Sequence, residues 1–197
     1  MRITSGEFRN RRLLSPRGLA TRPTAEKVRQ ALFNILGERT PGARFLDLFA
    51  GSGAVGLEAL SRGARSAVFV ESSREALNAL RANIRALGAE EKASVLPLDW
   101  LSALKRLEAR GELFDLIFAD PPYRMAAATA PGNPLSRLFP GAILKPGGLL
   151  ILESFARDPV REDVNLRLLR RADYGQTALS FYSLGLSRAG CDASCPE

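Results

Sequence analysis

An alternation that begins at residue 44 limits this chain's possible folds more than any other feature. The runs "RFLDLF", "SAVFVE", "ASVLPL", "LFDLIFA" and "GGLLILES" are apolar at nearly every position, and helical segments near 54 to 62, 74 to 87, 100 to 109 and 134 to 144 separate them. A strand with one wet face alternates apolar and polar residues, whereas a near-continuous apolar strand is covered on both faces, as in parallel sheets. Repetition of strand, helix, strand therefore predicts an α/β fold on a doubly wound, mostly parallel sheet. Two further strands, near 166 to 171 and 177 to 184, flank the turn-like "ADYGQ" and close the sheet with an antiparallel hairpin, giving seven strands in all.

The chain has 197 residues, 46% of them hydrophobic and 25% charged, enough for one good core and few for two large domains. The organisation expected is a basic arm over residues 1–23, one α/β domain over 24–185 and a polar tail over 186–197. The arm carries short segments broken by Gly6, Pro16 and Gly18, which suits a hairpin better than a helix. In "RPTAEKVRQALFNILG" the spacing of Val28, Leu32, Ile35 and Leu36 predicts an amphipathic helix, with Thr24 as its N-cap and Gly37 as its stop. Its polar side offers Lys27, Gln30 and Asn34.

The net charge is +7, and its location is informative. Residues 1 to 40 hold nine basic side chains against three acids, 9 − 3 = +6, so the first fifth of the chain carries nearly all the excess. Arginine concentrated in one segment favours contact with phosphates, because each neutralised phosphate releases a condensed counterion. Arg9, Arg11, Arg12, Arg22 and Arg29 are the candidate nucleic-acid-binding residues. Cys191 and Cys195 lie in the polar tail, and with no histidine in the chain a metal site lacks ligands, so none is expected. No apolar stretch of membrane-spanning length and no leader-like segment is visible, so a cytoplasmic location is expected, and no apolar repeat suggests a partner face, so a monomer is expected.

Ligands of open α/β sheets bind outside the carboxyl ends of the strands. Three such ends carry unusual residues. In "LDLFAGSGAVGLEAL" a strand leads into Gly51-Ser52-Gly53 and a helix, offering glycine backbone and unpaired helix N–H groups. Glu71 ends "AVFVE", where a carboxylate can accept both hydroxyls of a ribose, and Asp99 follows "VLPL", within reach of an adenine edge. Gly51, Gly53 and Gly56 also satisfy the dinucleotide pattern G-x-G-x-x-G, which keeps a nicotinamide-dependent oxidoreductase open. Asp47 weighs against it: a carboxylate four residues before the glycines would repel a pyrophosphate and suits a cationic sulfonium and amino-acid group.

The run "FDLIFADPPY" stops at Asp120-Pro121-Pro122-Tyr123 on that same edge. Prolines stiffen the loop and remove backbone donors while their carbonyls remain. The loop therefore presents acceptors, the Asp120 carboxylate and the Pro121 carbonyl, beside a flat Tyr123 ring on which a base can stack. An exocyclic base amine has two N–H donors and fits that arrangement; guanine and adenine amines both remain open.

Together with "RPTAEKVRQALFNIL" and the late "YGQTALSFYSLG", these motifs resemble the RsmD family of 16S ribosomal RNA guanine-N2 methyltransferases, from about Arg2 to Gly185. The resemblance implies a Rossmann-like fold with S-adenosylmethionine as cofactor. It implies as substrate a guanine of 16S rRNA, within a small ribosomal subunit or assembly intermediate. By motif position it implies that Asp47, Gly51 and Gly53 hold the methionine part, Glu71 the ribose, and Asp99 with Trp100 the adenine, with Asp120, Pro121 and Tyr123 at the reacting base.

Overall fold

The computed structural model describes residues 1–15, 23–121, 143–160 and 165–185. Seven strands, β1 (Arg44–Asp47), β2 (Ser66–Val70), β3 (Ala93–Leu96), β4 (Phe114–Ala119), β5 (Leu144–Phe155), β6 (Leu166–Tyr174) and β7 (Thr177–Leu184), form one sheet in the order β3-β2-β1-β4-β5-β7-β6. The first five pair in parallel, while β7 runs antiparallel to both β5 and β6. The chain order reverses between β2 and β4 on either side of β1, which places the ligand crevice of such a sheet at the carboxyl end of β1.

Successive strand residues feed opposite faces, as the pleat requires. Phe45, Phe69, Leu116 and Phe118 join a core with α1 (Pro23–Leu36), α2 (Ala54–Ser61), α3 (Arg74–Leu87) and the N-terminal segment. Leu46, Val68, Val70 and Ile117 join the other core with α4 (Trp100–Ala109). Burial on both faces is why these runs lack polar alternation. The α3 boundaries come from local chemistry: the Ser73 side chain accepts from the Ala76 N–H, and Gly88 ends the helix at a φ of 66°.

Three expectations change. Helix α1 begins at Pro23, so Thr24 lies inside the first turn and is not the cap; proline suits the first helical position because its missing N–H needs no partner there. Most of the segment expected as a helix over 134–144 lies outside the described residues, and its last residue, Leu144, opens β5. The described part of the arm, residues 1–15, does form a hairpin-like loop, with Arg2 bridged to Arg12 and the Ile3 N–H donating to the Arg11 carbonyl. It is not a separate appendage, however: Ile3, Phe8 and Leu13 are buried in the same core as α1, α2 and α3. The tail over 186–197 lies outside the described residues.

Candidate active site

Four acids stand at the carboxyl edge, one after each of the first four parallel strands. Asp47 closes β1, Glu71 follows β2, Asp99 follows β3 and Asp120 follows β4. The ladder continues past the strand ends, with the Leu48 N–H donating to Phe118 O at 3.0 Å, Ala50 N–H to Val70 O at 2.9 Å and Glu71 N–H to Leu96 O at 3.2 Å. These bonds hold the acid-bearing loops to a common edge.

Asp47 is 1% exposed, and its Oδ2 accepts from the Gly56 N–H in the first turn of α2 at 3.1 Å. Burial pushes its carboxyl up to about 7, and the charges of Asp120 and Glu71 push the same way against the Gly56 and Phe49 N–H groups. A buried carboxylate with two acidic neighbours is a poor host for a phosphate and a good one for a cation.

Glu71 organises the glycine loop. Its Oε2 accepts from the Gly51 N–H at 2.8 Å, and its Oε1 accepts from the Ser72 and Ser73 N–H groups at 2.8 and 2.7 Å. The glycines answer different needs. Gly51, with φ at 55°, would project a Cβ into open space, so its side of the loop is accessible. Gly53 has φ at 83° and a Cβ there would fall 2.4 Å from Leu80 Cδ1, while a Cβ at Gly56 would fall 2.3 Å from Phe69 Cε1. Packing of α2 against Phe69 requires Gly56, while at Gly53 the left-handed backbone and the Leu80 contact both disfavour a side chain.

Asp99 is exposed and caps α4, its Oδ1 accepting from the Ser102 N–H at 3.0 Å; the side-chain and backbone bonds from Ser102 hold its carboxyl below the ordinary range. The Trp100 ring is a core group, 8% exposed and 6.3 Å from the Phe49 ring centroid, so it does not offer an open stacking face. Asp120 is exposed at the end of β4 and Pro121 beside it is buried. Tyr123 lies outside the described residues, as does Arg22.

The basic residues divide. Arg9, Arg11 and Arg12 are exposed on the hairpin, where they can meet phosphates. Arg29 cannot: it is 3% exposed, its Nε donates to Glu58 Oε2 at 3.3 Å and its Nη2 donates to the Arg2 carbonyl. Glu58 itself is fully buried and also accepts from the Thr4 N–H and hydroxyl, the Ser5 N–H and Arg62 Nε. A buried ion pair of this kind persists when every remaining lone pair finds a donor. This clasp ties hairpin, α1 and α2 together, and sequence reasoning missed its centre because Glu58 sits within an apolar helical run.

Asn83 was also missed. It is 1% exposed on the core face of α3; its Oδ1 accepts from the Leu14 N–H at 2.7 Å, and its Nδ2 donates to the carbonyls of Leu14 and Ser52, each at 2.9 Å. One side chain thereby anchors both the hairpin and the glycine loop. The signal available was a polar residue in the apolar stripe of Leu80, Ile84 and Leu87. Among the described residues there is no group of three metal-ligating side chains and no helix long and apolar enough to cross a membrane.

An open parallel sheet with an antiparallel hairpin, a glycine loop held by an acid after β2 and an acidic crevice defines a Rossmann-like fold of the methyltransferase class. The family described as "Conserved hypothetical protein 95" matches residues 1–183. Ribosomal RNA small subunit methyltransferase D of Haemophilus influenzae is 34% identical over 185 residues, 92% of this chain and 93% of that one. YlbH of Bacillus subtilis is 35% identical over 183 residues, 92% of this chain and 98% of its own. The solved structure of yhhF from Escherichia coli superposes with a TM-score of 0.78 at 35% identity, covering 92% of this chain and 96% of that one. The chain belongs to the RsmD family.

Proposed function

We propose that this protein is a ribosomal RNA methyltransferase that transfers a methyl group from S-adenosylmethionine to the exocyclic N2 amine of a guanine in 16S rRNA. The observation that carries this reading is the pairing of Asp120-Pro121 at the end of β4 with buried Asp47 at the end of adjacent β1. Acceptors for an amine and a carboxylate for a cation stand side by side at the point where the sheet order reverses.

The residues fit the cofactor. Asp47 and its acidic neighbours suit its cationic methionine end, the open side of Gly51 admits close approach to the backbone, and Glu71 keeps acceptor capacity for a ribose at Oε2. When bound, the cofactor supplies an electrophilic methyl group. The chain's own residues do the rest. The Asp120 carboxylate and the Pro121 carbonyl accept the two N–H groups of the target amine, whose lone pair is otherwise delocalised into the ring. Holding both hydrogens favours a pyramidal nitrogen and stabilises the positive charge that develops on it. The nitrogen lone pair would form the new N–C bond as the methyl–sulfur bond breaks, its electron pair staying on sulfur in the departing S-adenosylhomocysteine, and the surplus proton leaves to Asp120 or water. Positioning lowers much of the barrier. Arg9, Arg11 and Arg12 hold the neighbouring phosphates while the base is splayed out, with Tyr123 offered for stacking.

The monomer works alone in this reading, on a small subunit or an assembly intermediate. The same acceptors would take the N6 amine of adenine, so the product decides. Labelled methyl transfer to small-subunit particles and to naked ribosomal RNA, followed by nucleoside analysis, should yield N2-methylguanosine. N6-methyladenosine, or no labelled nucleoside although cofactor binds, would overturn the assignment.

A further inference from the structure

The outer face of α3 carries a charge pattern that the helix itself does not need. Arg74, Asn78, Arg81 and Arg85 are all exposed, and at 3.6 residues per turn they fall within about 60° of arc. The one acid of the helix, Glu75, points about 100° away from Arg74. None of the three arginines has an ion-pair partner among the described residues. Arg85, in the last turn, complements the helix dipole, but Arg74 is the first helical residue, where the dipole opposes a cation. Helix stability therefore does not account for the stripe.

One end of the stripe meets the hairpin arginines and the other meets the carboxyl edge at the end of β2, two strands from Asp120. At the C-terminal end, Arg11 of the hairpin donates from Nη2 to the Ala86 carbonyl, and buried Asn83 grips Leu14. At the N-terminal end, Arg74 follows Ser73, whose N–H is held by Glu71 at the carboxyl edge. From Arg74 to Arg85 the helix rises about 16 Å, at 1.5 Å per residue. Hairpin, α1, α2 and α3 share a core on one face of the sheet, and the Arg11 contact with Ala86 sets the hairpin beside the C-terminal end of the stripe.

We infer that the exposed stripe Arg74-Asn78-Arg81-Arg85 of α3 is a track for the RNA backbone, leading from the hairpin arginines to the carboxyl edge. This rests on the reading of the protein as an RNA methyltransferase and extends its RNA surface beyond the N-terminal segment. Guanidinium groups supply phosphate contacts without base readout, so the track positions the RNA and carries no sequence preference.

The test measures binding of in vitro transcribed small-subunit ribosomal RNA across a series of KCl concentrations, for wild type, Arg81→Gln/Arg85→Gln and the control Lys105→Gln/Arg106→Gln on α4, which lies on the other face. Glutamine keeps helix propensity close to that of arginine. The track predicts that the α3 variant loses roughly tenfold in affinity and that its slope of log K against log salt falls by about 1.4, since each single-strand phosphate contributes about 0.7. S-adenosylmethionine affinity stays at the wild-type value, which verifies the fold. An α3 variant with the wild-type slope, or an α4 control that loses as much, overturns the track while the methyltransferase reading stands. Wild type without salt-sensitive binding either to this RNA or to small-subunit particles overturns both.

Discussion

Replacing Asp47 by asparagine should stabilise the folded chain while damaging its site. The carboxyl is 1% exposed, and its value rises from 3.8 in the unfolded chain to about 7 in the fold, so between these values the folded state holds a proton that the unfolded state has lost. The sign follows: wild-type stability from this group falls as pH rises through the interval and levels off above about 7. At 1.36 kcal/mol per pH unit, the gap between 3.8 and about 7 corresponds to about 4 kcal/mol. Asparagine keeps an oxygen for the Gly56 N–H and cannot ionise, so it escapes that cost. Urea unfolding of both proteins should give similar stabilities near pH 4 and an advantage to the variant that grows toward about 4 kcal/mol at pH 8. Calorimetric titration should show the opposite trend in function. Wild-type affinity for S-adenosylmethionine drops toward tenfold per pH unit below about 7, as the carboxylate that faces the cation is protonated, and the variant binds weakly at every pH. A variant no more stable at pH 8 than at pH 4, relative to wild type, would refute the account of Asp47 as a buried charge held for a cation.

Two further substitutions separate structure from RNA contact. Arg29→Met leaves Glu58 short of one cation in a closed site and should cost roughly 3 kcal/mol in urea unfolding, with RNA affinity of the folded fraction unchanged; a stable variant with weak RNA binding would restore Arg29 to the RNA surface. Asn83→Leu removes the partner of the part-buried Leu14 N–H and carbonyl and orphans the buried Ser52 carbonyl, at about 1–3 kcal/mol for a buried group left unpaired. It should also lower cofactor affinity in calorimetric titration, because Ser52 belongs to the glycine loop; unchanged affinity would show that the loop holds its shape without this anchor.

The parts of the molecule that could be read in the sequence are those set by local chemistry. The α3 boundaries follow from Ser73 and Gly88, and the parallel strands from apolar runs that must be buried on both faces. Glu71, Asp99 and Asp120 were readable because each directly ends such a run, and Asp47 because it interrupts one four residues before the glycines. What could not be read depends on partners distant in the chain. Arg29 sits among the polar residues of α1 and would be solvated on an isolated helix; only the approach of α2 brings Glu58 to it, 29 residues later. The hairpin looks like a loose basic arm because Ile3, Phe8 and Leu13 are isolated apolar residues whose common core forms only when the strand ends meet. Gly56 looks like the last glycine of a ligand-binding pattern, yet it is Phe69 that occupies the space its side chain would need. Trp100, placed beside an adenine by motif position, turns its ring into the core because the start of α4 packs over Phe49.

The central claim is that Asp120 carries amine methylation at this edge and does not hold the cofactor. The direct measurement is single-turnover methyl transfer to small-subunit particles by wild type and Asp120→Ala, with S-adenosylmethionine affinity measured on the same samples. Wild type should give N2-methylguanosine, and the variant should lose transfer by about 10²-fold or more, the scale of removing a group aimed at developing charge, with nearly unchanged cofactor affinity. Equal loss of cofactor binding, or transfer that survives the substitution, would contradict the claim.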